Sequence, residues 1–328
     1  MMKRSSLLWI FAGLSLVSII LAWAWLRAPL TIHASIAENG GFTPADIQAR
    51  VGEPLRLRLV SDDVEHTFAL GQNSMKPVLL KPGQPVDITL TFEKPGTYTF
   101  YSTTFSSINF WRMRGTIEVA GDEPTPAPEP PLYVRLGLNL DDEHESMGAE
   151  MSASWSRKPS AKRGAAFEDL IPALYLTRDF YVSHSPLETF EKLRAEKTAV
   201  GSLDENDTWD VVALIWQKNS TPDVLGKGEQ LYQDNCAACH GKTGAGDGQF
   251  ANEMKALGEK NQDKHGIQVP TDFTKPEHLL EAKTAIVQGK TLRGGMGTGM
   301  PMWGSIFTND QLWDVVAYLY TFQFDYSK

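Results

Sequence analysis

Hydrophobic and polar positions follow three different patterns along the chain. Residues 7–26 form an uncharged and mostly apolar run of 20 residues. Residues 30–120 alternate apolar and polar positions between short turn signals, as in 55–60 and 86–92, which predicts short strands in a β-sandwich. From residue 132 onward, apolar residues recur at helical spacing, which predicts an all-α second half.

The apolar run predicts a membrane anchor. At about 1.5 Å per residue, a helix over 7–26 is about 30 Å long, which matches a bilayer core. Lys3 and Arg4 precede the run, and positive charge places that end in the cytoplasm. We therefore expect a single-pass anchor over residues 1–29 in the plasma membrane, with the later domains on the periplasmic, extracytoplasmic side. A cleaved signal peptide is the alternative, because residues 22–24 (AWA) fit a small-x-small cleavage site.

A proline-rich segment separates the β-rich part from the helical part. Residues 121–131 contain five prolines, which predicts a stiff, extended linker. The length of 328 residues fits two or three domains, and we place them at 30–120, 132–222 and 223–328. The net charge of −9 argues against nucleic acid as a partner, because a polyanion repels an acidic protein.

The helical part contains an internal repeat. Residues 206–216 (NDTWDVVALIW) echo residues 309–320 (NDQLWDVVAYLY). Residues 176–190 echo residues 270–280 in the same order. The repeat predicts two related helical domains that meet near residue 222. The alternative is that the shared W-D-V-V-A is only a common amphipathic helix turn.

Both cysteines of the chain lie in one pentad, Cys236-Ala237-Ala238-Cys239-His240. This pattern attaches a c-type haem. Residues three apart share a helix face, so two thiols can meet the two vinyl groups of one porphyrin edge, with His240 turned to the iron. A zinc site needs two more ligands, and a thioredoxin-like dithiol lies near a βαβ pattern that is not visible here. We expect one covalent haem c.

Met300 is the predicted second axial ligand of the iron. It follows His240 by 60 residues in a glycine-rich loop. Pro301 favours an extended conformation of the residue before it, which can aim the methionine inward. Met296 and Met302 are the competing candidates.

Arg293 and Trp303 lie beside this loop and are candidates for hydrogen bonds to haem propionates. For Arg293 the alternative is plain solvation. Together with the pentad and Met300, these two residues complete the predicted cofactor site.

Residues 223–328 therefore resemble the class I cytochromes c. Residues 228–232 (GEQLY) are typical of the N-terminal helix of that family, and Thr308 with Gln311 predicts a capping box for the last helix. The resemblance implies an all-α fold and one-electron transfer through iron. A methionine ligand disfavours ferric iron relative to a second histidine, so we expect a comparatively high potential.

Four short segments of the β-rich part form a second resemblance: 42–44 (FTP), 51–54 (VGEP), 63–66 (DVEH) and 95–98 (PGTY). They resemble the cupredoxin domain of cytochrome c oxidase subunit II. On that pattern Ser102 and Ser106 stand where two bridging cysteines belong, and Phe110 stands at the second histidine. His66 and Met113 are what remains of the implied ligands. A dinuclear copper centre needs two thiolates and a blue copper site needs one, so no copper is expected.

Residues 132–222 resemble a cytochrome c domain that has lost its haem. This segment has no C-x-x-C-H, and residues 196–202 contain no methionine before the final helix. His144 and His184 are isolated histidines. The expected fold is thus multidomain: an N-terminal transmembrane helix, an all-β cupredoxin-like sandwich, and two all-α class I cytochrome c domains, the first degenerate.

This order of parts resembles subunit II of a haem-copper oxidase or nitric oxide reductase fused to a C-terminal cytochrome c. It implies a membrane-anchored electron carrier of a respiratory chain, with other respiratory-complex subunits or a redox carrier as partners. No acid–base pair or nucleophile is visible, so an enzymatic role would be that of an electron-entry subunit whose catalytic metal lies in another chain. A haem-based sensor or ligand-binding protein and a structural subunit of a respiratory complex are the competing interpretations.

Overall fold

The computed structural model describes residues 28–72, 75–122, 129–141, 155–195, 199–261, 269–295 and 299–327. These residues divide into two compact units: the first holds residues 28–69 and 75–122, and the second holds the other described residues. Within the described part of the chain, no helix has both the length and the apolar character needed to span a bilayer. Residues 1–27 of the predicted anchor lie outside the described residues, so the anchor stays a prediction.

The first unit is built from two β-sheets. Its strands are β1 (Leu30–Ala34), β2 (Phe42–Thr43), β3 (Asp46–Arg50), β4 (Leu55–Ser61), β5 (His66–Leu70), β6 (Val78–Leu80), β7 (Val86–Leu90), β8 (Gly96–Tyr101) and β9 (Arg114–Ala120). One sheet has the order β2-β1-β4-β7 and the other has the order β3-β9-β8-β5-β6. Strand β1 runs parallel to β4, and β3 runs parallel to β9.

The inner faces of the two sheets meet in an aromatic core. Leu57 and Leu59 of β4 are buried, whereas the arginines that alternate with them are exposed. Phe42 of the first sheet lies edge-on to Phe68 and Phe100 of the second, with ring centroids 6.1 Å and 5.3 Å away. Strands whose alternate side chains face one shared core form a sandwich, as the sequence predicted.

The second unit is helical. Its helices are α1 (Leu132–Arg135), α2 (Ala161–Gly164), α3 (Arg178–Ser183), α4 (Pro186–Ala195), α5 (Glu205–Gln217), α6 (Pro222–Asn235), α7 (Ala237–His240), α8 (Ala251–Asn261), α9 (Thr284–Arg293) and α10 (Asn309–Leu319). The predicted capping box opens α10: Thr308 Oγ1 accepts from Gln311 N at 3.1 Å, and Thr308 N donates to Gln311 Oε1 at 2.8 Å.

Gly228 lets α6 cross α10 at close range. A Cβ at this position would overlap the carbonyl oxygen of Asp314 and lie 2.9 Å from Cβ of Tyr318. Beside the crossing, the rings of Tyr232 and Tyr318 meet with centroids 5.4 Å apart. The close approach requires a residue without a side chain, which is why a glycine stands here. The last helix therefore packs directly on the helix that leads into the pentad.

Helix α2 crosses α5 in the same way. A Cβ at Gly164 would overlap the carbonyl oxygen of Asp210 and lie 3.1 Å from Cβ of Leu214. Asp210 occupies the same place in the repeated W-D-V-V-A as Asp314. The two crossings therefore share one register, and each is made at a glycine outside the repeated segments.

The two helical parts pack against each other within this unit. Ser160 pairs with Asp325 in a parallel bridge, and Ala161 N donates to Asp325 O at 3.0 Å. The rings of Trp216 and Tyr320 lie with centroids 6.0 Å apart. The predicted boundary near residue 222 lies in the connection between α5 and α6, but both helical parts belong to one compact unit, so the boundary stays a prediction.

Candidate functional site

The pentad lies at the junction of α6 and α7. The carbonyl oxygen of Cys236 accepts hydrogen bonds from the backbone nitrogens of Cys239 (3.1 Å) and His240 (2.9 Å). This turn of helix places the two cysteines three residues apart on one face. Both side chains are half-buried and are not joined in a disulfide. Burial raises the pKa of Cys236 to about 12 and that of Cys239 to about 11, so both are thiols at neutral pH.

A hydrogen bond fixes the imidazole of His240. Its Nδ1 lies 3.0 Å from the carbonyl oxygen of Thr271, and this geometry requires Nδ1 to carry the proton. Phe273 stacks on the ring with centroids 4.6 Å apart. Burial lowers the pKa of His240, against the opposing effect of the carbonyl, so the imidazole is neutral. Nε2 is then the nitrogen available to a metal, and the bond at Nδ1 increases its basicity.

Tyrosine and glutamine side chains support this arrangement from behind. Tyr232 Oη donates to the carbonyl oxygen of Gly241 at 2.7 Å, and its ring meets Phe322 with centroids 5.3 Å apart. Gln323 Nε2 donates to the carbonyl oxygen of Phe273 at 2.6 Å. The segment after α10 and the helix before the pentad thus hold the backbone on both sides of the imidazole.

Thr271 and Phe273 are site residues that were not predicted from the sequence. Their segment was recognisable only as part of the internal repeat. The group that contacts His240 is a backbone carbonyl, which every residue carries, so its sequence contains no chemical signal. The position of Phe273 in the repeat was the one available hint.

The loop after His240 folds back onto the pentad. Gly241 has a φ of 78°, which favours glycine. The backbone nitrogen of Gly246 donates to His240 O at 2.9 Å, and that of Gly248 donates to Cys239 O at 3.1 Å. The loop therefore fixes the backbone of the two residues that end the motif.

The predicted ligand Met300 is half-buried and lies near Gly294 and Gly295, which follow α9. The backbone nitrogen of Gly295 donates to Met300 O at 3.2 Å. Gly294 has a φ of 73°, and a Cβ there would lie 2.6 Å from the carbonyl carbon of Pro301. The end of α9 and the residues at Met300 are thus held together by backbone contacts.

Of the competing methionines, Met302 is 51% exposed, which is less suitable for a metal ligand than the half-buried Met300. Met296 lies outside the described residues. Met300 stays the predicted ligand.

The two propionate candidates lie in different surroundings. Trp303 is buried and stacks on Phe307 with centroids 5.1 Å apart. Arg293 Nη1 and Nη2 donate to the two carboxylate oxygens of Asp141 at 3.0 Å and 2.7 Å. The propionate contacts of Arg293 and Trp303 stay predictions, and Arg293 has a partner that the sequence did not indicate.

In the first unit, the residues of the expected ligand loop are bonded to one another or to their neighbours. His66 is fully buried; its Nε2 lies 2.7 Å from Asp63 Oδ1, and its Nδ1 has no hydrogen-bond partner among the described residues. Ser106 Oγ donates to Met113 Sδ at 3.7 Å. Ser102 Oγ accepts from the backbone nitrogen of Thr104 at 3.2 Å.

These donors do not fit copper. Phe110, at the position of the second histidine, is buried and packs edge-on against Phe105 at 4.9 Å. Hydroxyls replace the thiolates, and the two thiols of the chain belong to the pentad. Blue and dinuclear copper centres both require thiolate, so one imidazole and one thioether form an inadequate set.

Residues 225–323 match the family model described as Cytochrome c. The match includes the pentad, Thr271, Phe273 and Met300. The chain therefore contains a cytochrome c domain, which implies haem c and electron transfer. No curated protein matches the chain.

Similar solved structures include two auracyanins and a terminal oxidase. Reduced auracyanin from Roseiflexus castenholzii is 18% identical over 28% of this chain and 97% of its own, with a TM-score of 0.25. Auracyanin A from Chloroflexus aurantiacus is 14% identical over 28% and 98%, with a TM-score of 0.25. A heme-copper terminal oxidase chain is 19% identical over 35% and 94%, with a TM-score of 0.23. Likenesses at this level carry no argument about cofactor or function.

The donors of the second unit do fit a covalently held haem. Two thiols one turn apart, a neutral imidazole with Nδ1 engaged and a methionine thioether are the groups that a c-type haem requires. Cys236 and Cys239 would hold the ring, and His240 and Met300 would hold the iron. When bound, the haem supplies one-electron exchange between ferrous and ferric iron.

Proposed function

We propose that this protein is a membrane-anchored monohaem c-type cytochrome that passes single electrons in a respiratory chain. It acts as a subunit of a haem-copper oxidase- or reductase-type complex, or as the donor to one. The observation that carries the proposal is the pentad in which His240 Nδ1 is bonded to Thr271 O while two thiols lie one turn apart. A zinc site needs further ligands, and the described residues contain no group of three or more His, Cys, Asp or Glu that could hold a metal.

In this proposal the residues of the site bind and orient the haem and take no part in proton or group transfer. His240 keeps a neutral imidazole with Nε2 free, and Phe273 fixes the plane of the ring. Met300 offers a soft thioether, which favours the ferrous form relative to a second histidine. A rigid set of donors needs little rearrangement when the iron changes charge, which suits electron transfer.

The membrane location rests on the sequence. Lys3 and Arg4 before the apolar run 7–26 support a retained anchor with its N-terminus in the cytoplasm. All later domains then lie outside the plasma membrane, where c-type haem is also attached. The partners proposed are other respiratory-complex subunits or a redox carrier.

Residues 132–222 are, in this proposal, a degenerate cytochrome c copy without haem. The support is the shared crossing register, in which Gly164 meets Asp210 as Gly228 meets Asp314. The copy contains neither of the thiols of the chain. Its role is therefore structural, as is that of the copper-free sandwich.

The haem assignment is tested by expression with a haem-attachment system in the periplasm. We expect the intact mass of the protein to equal the polypeptide plus one haem. The double substitution Cys236→Ala/Cys239→Ala abolishes haem that survives denaturation in acid. Met300→Ala opens an axial position, so the ferric form binds imidazole more readily and the potential falls. Met302→Ala, a neighbouring exposed methionine, is the matched control and behaves as the native protein.

Each part of the proposal has a contrary outcome. A native protein without covalent haem contradicts the cytochrome assignment. A five-coordinate native iron that Met300→Ala leaves unchanged favours a haem-based sensor. Recovery in the soluble periplasmic fraction, with residues 1–24 missing, contradicts the anchor. Purification without any other respiratory subunit contradicts stable complex membership and favours a free donor.

A further inference from the structure

Helix α9, which leads to the methionine ligand, is buried on most of its surface. Its buried residues are Thr284, Ala285, Ile286, Val287, Gln288, Gly289 and Thr291. These residues lie on several sides of the helix and include small and polar side chains. A helix buried in this way is covered by other elements of its unit. Part of this cover comes from α10, and part comes from residues before α6, which bind no haem in the proposed function.

The first covering element is the strap, defined here as residues 132–141. Gly289 of α9 lies directly beneath it: a Cβ there would lie 2.8 Å from Leu140 Cδ2 and 2.8 Å from Tyr133 Cδ1. Leu140 itself is 1% exposed. The strap thus packs on α9 at a position where only glycine leaves room for it.

The strap ends in a two-pronged ion pair. Asp141 accepts from Arg293 Nη2 at 2.7 Å and from Arg293 Nη1 at 3.0 Å, across 152 residues of sequence. This pair raises the pKa of Arg293, chiefly through the hydrogen bond. Bidentate arginine–carboxylate pairs fix orientation as well as distance. Arg293 is the last residue of α9, so the pair holds the end of that helix.

The other end of α9 is also attached to the segment before α6. The backbone nitrogen of Thr284 donates to His184 O at 3.2 Å. Lys283 Nζ lies 3.8 Å from Glu188 Oε1. Helix α9 is therefore fastened at both ends.

The fastened end of α9 is in direct contact with the predicted ligand. Gly294, next to Arg293, packs on the carbonyl groups of Met300 and Pro301, and Gly295 N donates to Met300 O at 3.2 Å. A shift of Arg293 would move Gly294 and Gly295 first. The hydrogen bond from Gly295 N to Met300 O would be disturbed next.

We propose that Asp141 is a positioning residue for Met300: by holding Arg293, the strap keeps the ligand-bearing segment closed on α9. The proposal rests on the proposed function for the identity of the ligand. It gives part of the haem-free segment a definite task, which is to slow local opening of the segment that carries Met300. Asp141 touches neither ligand nor ring, and acts through Arg293 and the glycines that follow it.

The test uses the full-length holoprotein and Asp141→Asn, which keeps size and removes the charge. Local opening exposes the Gly295 amide to hydrogen exchange and the ferric iron to imidazole. We expect both Gly295 exchange and apparent imidazole affinity to rise about 2- to 5-fold, the range of a partly exposed ion pair. Leu140→Ala, which removes packing from the same strap, moves both readouts in the same direction. Glu129→Gln is the matched control, because its pair with Arg135 spans 4.0 Å on the exposed side of the linker, and it changes neither readout.

The two readouts separate this proposal from the haem assignment. If Gly295 exchanges equally in Asp141→Asn and in the native protein, the positioning role is refuted whatever the cofactor. If the purified protein carries no haem but Asp141→Asn still accelerates Gly295 exchange, the haem assignment fails and the strap contact stands. If Glu129→Gln changes the two readouts as much as Asp141→Asn does, the effect comes from the loss of any negative charge, and the role of Asp141 is also refuted.

Discussion

The crossing of α6 and α10 allows a sharp test with two glycines of one helix. Gly226 and Gly228 lie two residues apart in α6, on opposite sides of it. A Cβ at Gly226 would have no atom of the described residues within 4 Å, whereas one at Gly228 would overlap the carbonyl oxygen of Asp314 and lie 2.7 Å from its carbonyl carbon. Substitution by alanine adds one methyl group to the same helix at either position, but the methyl group meets different surroundings.

The expected magnitudes follow from two opposing effects. Alanine favours a helix interior over glycine by about 0.5–1 kcal/mol, and this gain applies at both positions. At Gly228 the added methyl group pushes two backbones apart, and overpacking of this kind costs about 1–3 kcal/mol. Gly226→Ala is thus more stable than the native protein. The free energy of unfolding of Gly228→Ala is about 1–3 kcal/mol lower than that of Gly226→Ala.

The assay is guanidinium unfolding of the holoprotein, followed by haem absorbance and by tryptophan fluorescence. Both variants share the propensity gain, so their difference reports the crossing alone. Gly164→Ala, which places a Cβ against Asp210 in α5, repeats the comparison in the haem-free copy. Equal stability of Gly226→Ala and Gly228→Ala would refute the close crossing.

Three further predictions concern other parts of the molecule. Asp210→Asn leaves two arginines and a backbone amide without their buried carboxylate, so we expect a loss of about 2–3 kcal/mol in chemical unfolding; an unchanged midpoint would contradict this network. Burial raises the pKa of Asp314, so its charge opposes folding as pH rises through that pKa. Asp314→Asn is accordingly more stable than the native protein at neutral pH, with a gain that disappears below about pH 4, and a pH-independent gain would disprove the cause. Ser102→Cys/Ser106→Cys/Phe110→His restores the donors that the resemblance implies, and elemental analysis should find copper in this variant and none in the dialysed native protein.

Local patterns predicted much of the fold. The alternation over 55–60 correctly predicted a strand of a sandwich; Leu57 and Leu59 of β4 are buried on one face because strand periodicity decides which face a side chain takes. Thr308 and Gln311 correctly marked the start of α10, since a capping box is built from residues three apart. The pentad could be interpreted for the same reason: its donors are all contained in one turn of helix.

Contacts between distant residues could not be predicted in this way. Thr271 O contacts His240 across 31 residues, and Asp141 contacts Arg293 across 152. Neither partner carries a distinctive pattern, since one is a backbone carbonyl and the other a surface aspartate. The predicted propionate contact of Arg293 followed only from its neighbours along the chain.

The sequence by itself determined which groups form the site, two thiols and a histidine on one turn, and the order of the parts, strands followed by helices. The tertiary structure decided which nitrogen of His240 is left for a metal, and which carboxylate holds the end of α9. The physical reason is the range of the interactions. Side-chain type and helix or strand period are properties of neighbouring residues, whereas the second partner of a buried polar group is fixed only when the whole chain path is closed.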